Sequence, residues 1–116
     1  MPNDCWNSIT VTGSKEDIDN FAKNEFTDVP EWALIIKERG RRGIIFDMWS
    51  RWTVNKEWLE GLIIKYPSIW IKNFWSVLED AAAGIWIGSK AGIKTLEWDE
   101  PCIKDGDKIF RSFDIF

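Results

Sequence analysis

"CWNSITVTGSKEDIDNFAKNEF" (residues 5–26) decides the fold. Its first half alternates, with Cys5, Asn7, Ile9 and Val11 on one side and Trp6, Ser8, Thr10 and Thr12 on the other. Period two with β-branched residues predicts a strand, and Gly13 ends it. The second half changes period. Ile18, Phe21, Ala22 and Phe26 recur as one face of a helix does. Ser14 is a good N-cap, and Asp17 three residues later forms a capping-box-like pair with it. Glu16 and Asp17 sit where the helix dipole favours negative charge. A strand feeding an amphipathic helix opens an α+β chain.

The remaining segments extend this pattern. Residues 27–31 read as a loop. The run 32–40 fits either a short helix or a strand. Strand is the better choice, because "GRRG" and a second apolar run (44–52) follow it as a hairpin would. "NKEWLEGLIIKYP" (55–67) reads as a second helix, capped by Asn55 and ended by Pro67. Its apolar face is Trp58, Leu59, Leu62, Ile63 and Tyr66. Residues 68–80 read as a strand with Ile69, Ile71, Asn73, Trp75 and Val77 on one side. Residues 84–98 read as a hairpin around "GSKAG", and 107–116 as one more edge strand. The order predicts a ferredoxin-like βαββαβ antiparallel sheet with two helices on one face and an extra C-terminal β-hairpin. All 116 residues form one expected domain, with a core at 1–78 and a β extension at 79–116.

Composition limits the function. Charged residues make up 29% of the chain and the net charge is −4, which disfavours a general nucleic-acid binder. There is no histidine, so imidazole-based acid–base, nucleophilic and metal chemistry is excluded. Cys5 and Cys102 form no CxxC pair, and no thiolate zinc site is expected. One disulfide between them would need an oxidising compartment. The opening lacks the regions of a signal peptide, and no apolar run is long enough to span a bilayer, so a reduced, cytoplasmic chain is expected. No metal, cofactor or catalytic residue is assigned.

The opening also carries a resemblance. "MPNDCWNSITVTG" resembles a family of small, mostly phage-encoded ferredoxin-like domains of uncharacterised function, through Pro2, Asn3, Cys5, Asn7, Thr10, Val11, Thr12 and Gly13. "WSRWTVNKEWLEGLIIKYP" is similar to a second stretch of that family at Trp49, Ser50, Lys65, Tyr66 and Pro67. It departs at Arg51-Trp52, where two prolines are usual. The resemblance implies a viral origin and the ferredoxin-like fold, and no activity.

Nine tryptophans in a chain of this length are the main functional signal. Trp49, Arg51 and Trp52 lead into the second helix and suit stacking and cation–π contact, or plain packing. Trp6, Trp70, Phe74 and Trp86 are expected to share the sheet face opposite the helices. That face is expected to be a second small core, a protein interface or, less in keeping with the acidic chain, a base-stacking platform. Arg41 and Arg42 lie in the basic hairpin "KERGRR" (37–42), which suits an acidic partner or a solvated turn. The carboxylates of "LEDAAAG" (78–84), "EWDEP" (97–101) and "DGD" (105–107) fall short of a cation-binding pattern. The expected function is therefore a non-enzymatic, virus- or phage-encoded accessory protein that binds a host or viral protein and possesses a surface suited to homodimer formation. Inhibition of a host factor is one form this would take. The alternatives are a nucleic-acid module using the aromatic sheet face and the 37–42 hairpin, or a virion component.

Overall fold

The computed structural model describes residues 4–51, 55–77 and 82–98. The alternation at the N-terminus becomes β1, Asp4–Thr12, with Cys5, Asn7, Ile9 and Val11 buried. The helix follows as α1, Lys15–Asn24, and the Ser14 hydroxyl accepts from the Asp17 N–H at 3.2 Å. The expected capping box is only half formed. The Asp17 carboxylate accepts from the Ser68 N–H (3.1 Å) and hydroxyl (2.5 Å), which ties the start of α1 to the end of the second helix.

After a short 3₁₀ turn at Glu31–Ala33 come β2 (Leu34–Arg39) and β3 (Gly43–Arg51), paired as a hairpin with one bulge between Ile36 and Glu38. Next is α2, Lys56–Lys65, where the Asn55 side chain accepts from the Trp58 N–H at 3.3 Å. Three more strands follow: β4 (Trp70–Val77), β5 (Ala82–Ser89) and β6 (Gly92–Trp98). The β5–β6 turn uses the positive φ of Gly92 (144°), a conformation that glycine adopts without steric cost.

The ferredoxin-like expectation is corrected by the sheet. Its six strands run β2-β3-β1-β4-β5-β6, and all pairs are antiparallel. β4 is not an edge: it pairs with β5 from Trp70–Ser89 to Val77–Ala82. The C-terminal hairpin is thus the continuation of the sheet and not an addition to a four-stranded fold. The physical reason lies in β5. Ile85 and Ile87 are buried on one face and Trp86 on the other, and a strand apolar on both faces belongs inside a sheet. The expected strand at 107–116 lies outside the described residues.

Both helices bury their apolar sides against the same sheet face. Ile18 and Phe21 of α1 and Leu59, Leu62 and Ile63 of α2 join Val11, Ile44, Phe46, Ile71, Trp75 and Trp86 in one core. Phe21 meets Phe26 edge-on at 5.5 Å and Tyr66 at 5.8 Å, and Phe26 meets Phe46 at 5.0 Å. Each such pair adds about 0.5–1.5 kcal/mol beyond area burial. Ala83, Ile85 and Ile87 form a second cluster with Trp70, Phe74 and Leu96 on the opposite face.

Candidate functional site

The strand register distributes the tryptophans. On the face away from the helices, Trp6 of β1 stands directly opposite Trp49 of β3. Trp32, carried by the 3₁₀ turn before β2, brings its ring within 5.0 Å of Trp49 at a 58° tilt. Ile35 of β2 is opposite Asp47 of β3, two residues from Trp49, and so shares this face. Trp32 is 64% exposed, Ile35 55% and Trp6 41%, which makes this end of the sheet a continuous apolar surface. Two carboxylates border it. Asp4 Oδ1 accepts from the Trp49 indole N–H at 2.7 Å, and Asp47 Oδ2 pairs with Lys37 Nζ at 3.0 Å. β2 is the outermost strand among the described residues, and among them the backbone groups on its outer side have no strand partner.

Of the residues singled out in the sequence, the structure brings Trp6 and Trp49 together. Arg51 is the last residue of β3, and Trp52 lies outside the described residues. Trp86 is corrected: it stands opposite Asn73 on the helix-covered face and is 1% exposed. Trp70 and Phe74 do lie on the far face, in the second cluster, with Phe74 opposite Ser8, two residues from Trp6. Arg41 and Arg42 are exposed in the β2–β3 turn, where Arg42 Nε donates to the Gly13 carbonyl at 3.2 Å. Gly43 and Trp49 are near opposite ends of β3, about 20 Å apart at the usual strand rise. The basic turn and the indole surface are therefore separate sites. Sequence reading passed over Trp32, whose signal was a large indole just before an edge strand.

A second polar feature lies on the helix side. Asn7 and Asn73 are 4% and 1% exposed. Asn7 Nδ2 donates to the Met48 carbonyl (3.0 Å) and the Ser50 hydroxyl (2.9 Å), and Asn73 Nδ2 donates to Asn7 Oδ1 (3.0 Å). The sequence signal was an asparagine at an inward position of an apolar alternation, once in each strand. Nearby, the Glu25 carboxylate accepts from the Tyr66 hydroxyl at 2.6 Å and from Lys65 Nζ at 2.8 Å. Burial raises the Glu25 pKa, but the hydrogen bonds from Lys65 and Tyr66, the Lys65 charge and the Trp58 hydrogen bond together outweigh it and hold the carboxyl below its ordinary value. Burial, followed by the bond to Glu25, pushes the Tyr66 hydroxyl up. Cys5 is a buried free thiol, and burial pushes its pKa up, away from a reactive thiolate.

The lowered Glu25 pKa fixes the sign of a pH effect. Its stabilisation is fully present above the unfolded carboxylate value of about 4.3. It is lost as pH falls through the lower folded value. Glu25→Gln is expected to cost about 1 kcal/mol near neutral pH. The gap to wild type should close in strong acid. Urea unfolding at neutral and at strongly acidic pH measures this, and a gap that does not change with pH would contradict it.

Comparison with protein-family models, curated proteins and solved structures finds no match to this chain. Among the described residues, no helix is long and apolar enough to cross a membrane, and no group of three or more His, Cys, Asp or Glu side chains could hold a metal ion.

Proposed function

We propose that the chain is a non-enzymatic accessory protein that docks an extended segment of another protein along β2. The indoles of Trp32, Trp49 and Trp6 and the side chain of Ile35 form the anchor surface. The carrying observation is that these exposed apolar side chains adjoin β2, which has no outer strand neighbour among the described residues. An added strand gains main-chain hydrogen bonds from such an edge and side-chain specificity from the adjoining surface. Tryptophans with packed support are the usual anchors of protein interfaces.

The charges select the partner's chemistry. Asp4 flanks the indoles, Asp47 is already paired with Lys37, and the whole chain is acidic at −4. A segment with alternating apolar side chains and a lysine or arginine fits this border, whereas nucleic-acid phosphates would be repelled from it. The resemblance of the opening residues to phage-encoded domains supports a partner in an infected host.

Selection of displayed random peptides tests this proposal. Wild type should enrich peptides with alternating apolar positions and a basic residue. Ile35→Lys, a change at an exposed position, should weaken the selected peptides by at least about tenfold. Enrichment without a common pattern, or binding unchanged by Ile35→Lys, would refute the docking site. Light scattering that shows a dimer broken by Ile35→Lys would instead assign the surface to a second copy of the chain.

A further inference from the structure

Helix α2 carries two outward residues that the packing of its own chain does not explain. Gly61 sits in the middle of the helix, where glycine is the poorest residue after proline. A Cβ there would meet nothing within 4 Å, so no close neighbour in the chain requires a glycine. Ile64, three residues later, is 81% exposed. Residues three apart on a helix are surface neighbours, so a notch and an apolar knob stand side by side.

Next to Ile64 runs an open groove between α2 and the β5–β6 turn. Ile93, itself 46% exposed, and Pro67 extend its apolar lining. Glu60 of α2 and Lys90 of the turn also line it. Both are exposed, and among the described residues neither forms an ion pair.

A surface that holds both a knob and a matching notch is complementary to itself. In a two-fold interface residue i contacts residue j and j contacts i. An axis between Gly61 and Ile64 therefore sets each isoleucine over the glycine of the other copy. The missing Cβ lets the two helices approach to about 8 Å, the near end of the usual range. The same rotation carries Glu60 of each copy towards Lys90 of the other, so each unpaired charge gains an opposite one.

We propose that α2 is the interface of a symmetric homodimer, in which antiparallel copies of the helix pack Ile64 over Gly61 and pair Glu60 with Lys90. β2 lies at the opposite edge of the sheet from β5 and β6, so this dimer leaves the indole surface of both copies open.

Sedimentation of the full-length protein from about 10 μM to about 1 mM is expected to show monomer passing into dimer. Gly61→Gln puts a good helix former at an open position, so it should raise the melting temperature of dilute, monomeric protein. The same change fills the notch and should weaken the dimer at least about tenfold. A variant that failed to fold would not show the rise in melting temperature. Glu60→Lys and Lys90→Glu should each weaken the dimer, and the double variant should restore it. Ile35→Lys should leave it unchanged, which separates this interface from the β2 surface. A chain still monomeric at about 1 mM would overturn the proposal. So would a dimer unaffected by Gly61→Gln, a dimer broken by Ile35→Lys, or a charge-swapped double variant that does not recover.

Discussion

Trp86→Ala is expected to cost about 3–5 kcal/mol, close to the whole stability of a marginal domain. The indole is 1% exposed on the helix-covered face of β5 and belongs to the main core. Its space is set by the chain on either side. A Cβ at Gly88 would collide with the Trp86 ring and stand 2.8 Å from Ile63 Cδ1 of α2. A Cβ at Gly84 would stand 2.5 Å from Cζ2 of Trp75. The motif Gly84-Ile85-Trp86-Ile87-Gly88 thus clears room for two indoles beneath the helix. Gly88→Ala is expected to cost about 1–3 kcal/mol by overpacking, despite adding only a methyl group. Urea unfolding followed by circular dichroism measures both. A Trp86→Ala cost below about 1 kcal/mol would contradict the placement of β5 under α2.

The second large effect concerns the asparagine pair. Asn7→Leu removes the donor to the Met48 carbonyl and Ser50, and the acceptor of Asn73 Nδ2. Orphaned buried groups cost about 1–3 kcal/mol each, so a loss of about 3 kcal/mol is expected. The double change Asn7→Leu/Asn73→Leu also removes the orphaned amide of residue 73. It should cost less than the sum of the two single changes by about 1–3 kcal/mol. Denaturant midpoints of the four proteins complete the cycle. Strict additivity would mean that the 3.0 Å contact carries no energy.

The two largest effects also mark where the sequence was and was not legible. Local signals are legible. The Ser14 and Asn55 caps, the inward parity of β1 and β4, and the hairpins at Gly40–Gly43 and Lys90–Gly92 all depend on residues a few positions apart. The helical spacing puts Phe26 on the helix face. It packs on Phe21 and Phe46 although α1 ends at Asn24. What failed was long-range. In β5 every residue from Ala83 to Ile87 is small or apolar, so alternation does not say which side meets the helices. A register shift of one residue exchanges the two faces, and the register to β4 is set by pairing, not by local preference. Hence Trp86 was expected outside and is inside, and the hairpin was expected as an addition where it extends the sheet. The candidate surface had the same history. Trp6 and Trp49 were visible as aromatic positions in two alternating runs. Trp32 sits in a 3₁₀ turn, where strand parity gives no direction.

Amide hydrogen exchange, with and without a selected peptide, tests the docking proposal most directly. The account predicts slowed exchange at the β2 amides that do not pair with β3, together with changed Trp32 and Trp49 indole signals. Exchange elsewhere on the sheet should be unchanged. Protection confined to β6 or to the helices, with β2 still exchanging freely, would contradict it.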